Sequence, residues 1–167
     1  MPATVMPHQV PHGAERLPPG HHALRKGRVS VPDHVYLVTT VTRERKPYFR
    51  DFAVGCAAAR CFDQTRTLGD ACMLAWVLMP DHVHWMIRLG RADTLEAVVN
   101  RLKSASARAA NRTLRRDGSL WARAFHDHAL RAEEDLRRSA RYVIANPVRA
   151  RLVERVGDYP FWNAAWV

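Results

Sequence analysis

Two apolar runs of strand length, separated by only two residues, constrain the fold of this chain more than any other feature. The runs are ACMLAWVLM (71–79) and HVHWMIRL (82–89), and Pro80 and Asp81 between them are typical of a turn. Antiparallel strands can be joined by so short a link, whereas parallel strands need a crossover of a dozen or more residues. The sequence therefore predicts a β-hairpin, and with it an antiparallel sheet.

The rest of the chain adds two predicted strands and three predicted helices. The patterns predict a strand at 34–42, a helix at 52–67 that Gly69 ends, a helix from an Asp93/Glu96 capping box to Asp117-Gly118, a strand at 120–131 and a helix at 132–147 that Pro147 ends. The order βαββαβα predicts an α+β fold. We expect a ferredoxin-like, four-stranded antiparallel sheet with helices on one face, and the last helix as an addition. The aromatic tail GDYPFWNAAWV should pack back on the domain.

Residues 1–29 differ in composition from the rest of the chain. They hold five of the ten prolines and four of the nine histidines, which predicts a flexible arm that touches DNA through Arg16, Arg25, Lys26 and Arg28. Residues 30–167 are then a single domain. No apolar run approaches the roughly 20 residues that span a bilayer, and no signal-type stretch is visible. Three cysteines without CxxC spacing agree with a reducing, cytoplasmic location.

The charge is strongly positive and unevenly distributed. Lys plus Arg number 26 against 16 Asp plus Glu, which gives +10. Residues 101–151 alone hold 13 Lys/Arg and 5 Asp/Glu, or +8. One side of the predicted second helix carries Arg101, Arg108, Arg112 and Arg115. Such a surface predicts a nucleic-acid partner, although an anionic membrane or a merely solvated helix face would give the same pattern.

Two histidines in the hairpin are candidates for metal binding. His82 and His84 are one residue apart in a strand, so their side chains share one face of the sheet. They are either half of a metal site or polar residues satisfied by their neighbours. His126 and His128 form a rival pair with the same spacing, flanking Asp127. Spacing does not choose between the pairs, but the first follows a tight turn, which holds ligands rigidly.

The last predicted helix carries a polar stripe of Arg138, Tyr142 and Asn146 at steps of four, beside Arg141. The amide oxygen of Asn146 can bind a hard divalent cation. With two imidazoles it would leave positions open on Mg²⁺ or Mn²⁺ for a phosphate oxygen. A cation and arginines nearby would favour the ionised phenol of Tyr142 as a nucleophile. These parts suit phosphodiester transesterification, whereas a tyrosine that only packs or lies on the surface is the alternative.

Three sequence blocks, in order, resemble one family. WVLMPDHVHWMI resembles the histidine–hydrophobic–histidine (HUH) block of single-tyrosine transposases, LWARAFHDHALR their middle block, and RYVIANPVRARLV their tyrosine block. The combination resembles the REP-associated tyrosine transposases over residues 34–160. Ala122 and Ala124 depart from the Gln and Arg that are common in the middle block. Either DNA binding is weaker without that Arg, or Arg123 takes over the contact.

The resemblance implies a metal-dependent nuclease that cuts and rejoins single-stranded DNA at hairpin-forming palindromic repeats through a 5′-phosphotyrosine. Tyr142 would be the nucleophile, and His82, His84 and Asn146 the ligands of Mg²⁺ or Mn²⁺. The expected DNA contacts are arginines: Arg101, Arg108, Arg112, Arg115, Arg123, Arg138 and Arg141. Family members act as monomers or homodimers. Two alternatives are a non-cleaving nucleic-acid-binding module of the same fold and hydrolysis by metal-activated water. Trp85 and Trp121 either stack on bases or, as we expect, pack in the core.

Overall fold

The structure, a computed structural model, describes residues 30–130 and 133–166, so the predicted arm at 1–29 lies outside the described residues. The described strands are β1 Val35–Val41, β2 Cys72–Met79, β3 His82–Arg88, β4 His126–Leu130 and β5 Trp162–Ala164. They form one antiparallel sheet in the order β4-β1-β3-β2-β5. The predicted hairpin and the α+β class are confirmed.

The sheet has a fifth strand that the four-stranded prediction lacked. Ala164 of the tail pairs with Ala75, and the Leu78 amide donates to the Phe161 carbonyl at 2.9 Å. Without this tail β2 would be an edge strand with a row of unpaired backbone groups. Three residues are too few to show a periodicity, which is why the sequence indicated packing of the tail but not its pairing.

The described helices are α1 Phe52–Ala59, α2 Thr65–Leu68, α3 Leu95–Leu114, α4 Glu133–Ile144 and α5 Asn146–Arg149. The single helix predicted at 52–67 is wrong, because the chain leaves α1 at Arg60 and re-enters a helix after Gln64. Between them Phe62 turns fully into the core, with its ring centroid 5.2 Å from that of Trp76 and 5.3 Å from that of Trp85. None of these helices is long and apolar enough to cross a bilayer.

Three further boundaries differ from prediction. Thr94, not the Asp93/Glu96 box, caps α3, since its side chain accepts from the Ala97 amide. The strand predicted at 120–131 shortens to β4, with a single bridge from Trp121 to Thr42 before it. Pro147 does not end the last helix but lies in the first turn of α5. Proline is tolerated there because the backbone N–H groups of a first helical turn have no acceptor within the helix, so the missing N–H costs no hydrogen bond.

The two faces of the sheet are covered by different helices. Alternate residues of β3, including Val83, Trp85 and Ile87, join a core with α1 and α3. The predicted packing of helices on one face of the sheet is thus confirmed for α1 and α3. The added helix α4 covers the other face and packs on Val35, Ala75 and Met86. The side of β3 that carries His82 and His84 is therefore the side that α4 covers.

Trp85 and Trp121 belong to the core, where no base can reach them. Trp85 is fully buried, and the Trp121 indole nitrogen donates to Ser106 Oγ at 3.0 Å. We expect Trp85→Ala to lower the free energy of unfolding by about 3–5 kcal/mol, since it leaves a cavity between two aromatic rings. Denaturant unfolding measures this, with the half-exposed Trp166→Ala as the control that changes little. An equal, small change in both variants would contradict the assignment.

Candidate active site

His82 and His84 lie side by side near the start of β3. Their ring centroids are 5.0 Å apart with the planes nearly perpendicular. Their neighbours across the hairpin are Met79 and Val77 of β2. The short Pro80-Asp81 link fixes this register, so the position of the pair follows from the hairpin itself.

Each imidazole is held through its Nδ1 atom. His82 Nδ1 lies 2.6 Å from Asp81 Oδ1, and His84 Nδ1 lies 2.8 Å from Thr39 Oγ1 on β1. Each Nε2 is left without a hydrogen-bond partner among residues 30–130 and 133–166. Anchoring of one ring nitrogen by a carboxylate or another acceptor is how proteins orient metal-binding histidines, because it fixes the tautomer that offers the other nitrogen. The pair is therefore arranged to offer two Nε2 lone pairs.

The surroundings of His84 keep its imidazole in the form that can bind a cation. Burial, then the charges of His82, Arg149 and Arg45, lower the pKa of His84 to about 3. His84 is thus neutral at physiological pH, and a neutral imidazole is the metal-binding form. For Asp81, burial opposes ionisation, but the hydrogen bond from His82 and the charges of His82 and Arg45 outweigh it, so its pKa is lowered. Asp81 is therefore an ionised anchor.

Helix α4 lies on the sheet beside the two histidines. Its Val143 is fully buried against Val77 and Met79, the cross-strand neighbours of His84 and His82. Tyr142, the preceding residue, keeps 52% of its surface exposed. Tyr142 thus directly precedes a residue that packs on the cross-strand neighbours of the imidazole pair, and its ring is open to solvent. Asn146 of the predicted stripe lies beyond α4, at the start of α5.

Arg149 of α5 connects the tyrosine with the histidines. Its guanidinium carbon lies 4.0 Å from the centroid of the Tyr142 ring. The same charge is one of those that lower the pKa of His84. A short helix after Ala145 produces this arrangement, because α5 returns the chain toward the end of α4. The Arg149 guanidinium therefore lies against the Tyr142 ring, and its charge acts on His84.

Asn146 has a defined orientation. Its Nδ2 donates to the carbonyl oxygens of Val143 at 2.9 Å and Tyr142 at 3.3 Å. Because two acceptors fix the amide nitrogen, Oδ1 is the atom that remains for another ligand. Two Nε2 atoms and an amide oxygen fit a divalent cation that keeps open positions. The described residues contain no cluster of three or more His, Cys, Asp or Glu that could enclose a metal.

The rival histidines share the same face of the sheet. His126 pairs with Thr39, and His128 pairs with Leu37, across β1 and β4. Since β1 lies between β4 and β3, His126 is two strand spacings, about 10 Å, from His84. Both pairs therefore lie on the sheet face that α4 covers, and the rings of His82 and His84 are in contact with each other.

The predicted DNA-binding arginines do not lie on one surface. Arg138 and Arg141 are exposed on α4, and Arg123 is exposed before β4. Arg101 is partly buried and bound to its own chain, with Nη2 2.6 Å from Asp93 Oδ2 and Nε 2.9 Å from the Thr67 carbonyl. Arg108 and Arg112 are exposed on α3 and Arg115 is exposed directly after it, on the opposite side of the sheet from the histidines.

Sequence reasoning missed three residues of this site: Asp81, Thr39 and Arg149. Asp81 was identified only as a turn residue, although its place directly before His82 was a usable signal. Arg149 lay in the tyrosine block but beyond the predicted end of the helix, so its approach to Tyr142 was not foreseen. Nothing in the sequence pointed to Thr39, which is 45 residues from His84.

Comparison with known proteins identifies the family of the chain. A family model described as "Transposase IS200 like" matches residues 30–146. A protein of Haemophilus influenzae named as a putative REP-associated tyrosine transposase is 29% identical over 138 residues, covering 76% of this chain and 77% of its own length. The REP-associated tyrosine transposase of Escherichia coli is 30% identical over 89 residues, covering 52% of this chain and 50% of the relative.

A solved structure shares the fold. It is that of a REP-associated tyrosine transposase bound to a REP hairpin, with a TM-score of 0.64, 23% identity, and coverage of 81% of this chain and 79% of the other. The fold is common to both, and the family model spans well over half of the sequence. The chain therefore belongs to the IS200-like transposase family, within which it resembles the REP-associated tyrosine transposases.

Proposed function

We propose that this transposase cleaves and rejoins single-stranded DNA at hairpin-forming palindromic repeats, with Tyr142 as the nucleophile. His82, His84 and Asn146 would hold Mg²⁺ or Mn²⁺. The observation that carries the proposal is the packing of α4 on the sheet face of the two histidines, with Val143 against their cross-strand neighbours. The H. influenzae relative and the hairpin-bound structure supply the class of substrate.

The chemistry follows from the groups around the phenol. The Tyr142 oxygen attacks the scissile phosphorus and forms a 5′-phosphotyrosine, while the 3′-oxygen of the other fragment leaves and takes up a proton. A divalent cation at the two imidazoles and Asn146 would polarise the scissile phosphate as a Lewis acid. Attack of a new 3′-hydroxyl on the phosphotyrosine reverses the step and reseals the strand. The ester conserves the bond energy, so rejoining needs no nucleotide.

Arg149 would assist this step. Its guanidinium lies over the Tyr142 ring, and a phosphate drawn to the exposed ring would meet the same guanidinium. The five donors of arginine suit the equatorial oxygens of a phosphorus centre that gains charge. In this proposal Arg149 both positions the nucleophile and offsets the charge that develops on phosphate.

The Arg149→Ala variant tests that role. We expect formation of the covalent adduct to slow by about 10²-fold, the usual effect of removing one preorganised donor to a transition-state oxyanion. Arg149→Lys should recover part of the rate because it keeps the charge. Single-turnover rates on a labelled hairpin measure this, and Arg50→Ala is the control, since Arg50 is an exposed arginine away from Tyr142. Equal rates in the Arg149→Ala and control proteins would contradict the proposal.

One chain holds all the proposed site residues. Because α4 packs on the sheet of its own chain, Tyr142, Asn146 and both histidines need no second subunit. This supports action as a monomer, with a homodimer as the alternative. We further propose that the protein acts on chromosomal DNA in the bacterial cytoplasm.

A labelled, single-stranded hairpin incubated with the protein and Mn²⁺ tests the proposed function. We expect a protein–DNA adduct that survives denaturation, together with a released fragment bearing a 3′-hydroxyl. Tight binding without an adduct would support the non-cleaving module, and cleavage without an adduct would support attack by water. Candidate palindromes from the host genome are the substrates to test first.

A further inference from the structure

A second basic surface lies on the side of the sheet that faces away from the proposed active site. A groove of about 580 Å³ runs between α2 and α3. Arginines and small polar residues line it, among them Arg66, Asn100, Ser104, Arg108 and Arg112. Since α3 packs on the face opposite to α4, the sheet and a helix layer about 10 Å thick separate this groove from His82 and His84.

The groove has an uncompensated positive charge. Arg108 and Arg112 are exposed and have no acidic partner among residues 30–130 and 133–166, unlike Arg101, which is paired with Asp93. Arg66, Arg108 and Arg112 line the groove together with Cys61. Three guanidinium groups thus share one hollow.

The basic surface continues beyond the groove. A second hollow of about 430 Å³ shares Arg108 and Arg112 and adds Arg115, Arg116, Asn111 and one carboxylate, that of Asp117. Four guanidinium groups against one carboxylate leave its lining positive. From Asn100 to Leu114, where α3 ends, the surface follows fourteen residue steps of the helix, about 21 Å at 1.5 Å each. Arg115 and Arg116 lie directly beyond the helix end. The helical length matches about six base-pair steps of duplex at 3.4 Å. A row of this extent exceeds what a single phosphate or mononucleotide would occupy.

The lining favours a duplex over a single strand. Binding of single-stranded nucleic acid relies on aromatic side chains on which bases stack, and neither hollow is lined by an aromatic residue. The exposed large apolar residues, such as Phe52 and Leu152, lie outside both hollows, so the surface lacks the apolar anchor that a membrane-binding helix needs. Charge without stacking or apolar groups suits phosphate contacts that are independent of sequence.

We propose that the groove between α2 and α3, with its extension to Arg116, binds the backbone of duplex DNA on the side of the protein opposite the proposed active site. The segment held there is not the segment being cut. From the proposed function this inference takes only that the chain acts on DNA. Duplex bound at this surface would keep the protein on chromosomal DNA while the other face engages an exposed single strand.

The test measures binding of the full chain to a blunt, non-palindromic 20-base-pair duplex over a series of salt concentrations, by fluorescence anisotropy. Each phosphate contact contributes about 0.9 to the slope of log affinity against log salt. We expect Arg108→Ala/Arg112→Ala to reduce that slope by about two and to weaken binding. Arg108→Lys/Arg112→Lys keeps both charges and should therefore keep the slope of the unmodified protein. The control Arg50→Ala/Arg88→Ala removes the same charge from exposed positions outside the groove and should leave the slope near that of the unmodified protein.

Two results would overturn the inference. One is an equal change of slope in the groove and control variants, which would show a general charge effect. The other is that Arg108→Ala/Arg112→Ala lowers the affinity for a single strand of equal length more than it lowers the affinity for the duplex. No metal, cleavage or tyrosine is needed for this assay, and Tyr142→Phe should bind duplex like the unmodified protein. Failure of the adduct assay would therefore refute the proposed function and leave this result intact.

Discussion

Replacing Tyr142 with phenylalanine is expected to abolish the covalent protein–DNA adduct, with a loss of roughly 10⁴-fold or more in its rate of formation. Removal of a nucleophile has effects of this size because the remaining groups cannot make the bond. The substitution keeps the ring and its contact with Arg149, 4.0 Å from the ring centroid. A loss of activity would thus report on the oxygen atom rather than on packing.

The chain offers a matched control for this variant. Tyr48 also has an arginine against its ring, Arg116 at 5.0 Å, and Tyr48→Phe should form the adduct at the rate of the unmodified protein. Both variants are compared in single-turnover reactions on the same hairpin with Mn²⁺. An adduct that persists in Tyr142→Phe would refute the assignment of the nucleophile. Strand cleavage that persists without an adduct would instead identify water as the attacking group.

Replacing His84 with alanine is expected to weaken Mn²⁺ binding by at least about 10- to 100-fold, the range seen when even the supporting partner of a ligand is removed. The proposed ligand set is neutral, so a phosphate oxygen should complete it. Calorimetric titration of Mn²⁺ is therefore performed with a single strand present, in Tyr142→Phe protein that cannot cut it. His82→Ala should give a loss of similar size.

His128→Ala is the control for the metal titration. His128 lies on the same face of the sheet but on the edge strand β4, opposite Leu37. We expect its replacement to leave Mn²⁺ affinity unchanged. If His128→Ala or His126→Ala lowered the affinity for Mn²⁺ while His84→Ala did not, the rival pair would be the ligands and the proposed site would be wrong.

Local patterns predicted the elements whose structure depends on neighbours in sequence. The two-residue link at Pro80-Asp81 specifies a hairpin, and strand alternation puts His82 and His84 on one face, because both follow from backbone geometry alone. The position of Arg138 and Tyr142 on one side of α4 likewise follows from their spacing of four residues, which is close to one helical turn. The predicted boundaries were wrong where residues distant in sequence decide them. The helix is interrupted at Phe62 because its ring packs between two tryptophans. The tail forms a strand because β2 has a free edge with which it can pair.

By itself, then, the sequence determined which side chains share a face of their own strand or helix, and hence that an imidazole pair and a tyrosine stripe exist. Only the tertiary structure decided that α4 covers the sheet face of those histidines while the arginines of α3 lie on the other. It also supplied Thr39 and Arg149 to the site. The physical reason is that which face a helix covers depends on burial of apolar surface between elements far apart in the chain, and no periodicity within one element encodes the choice.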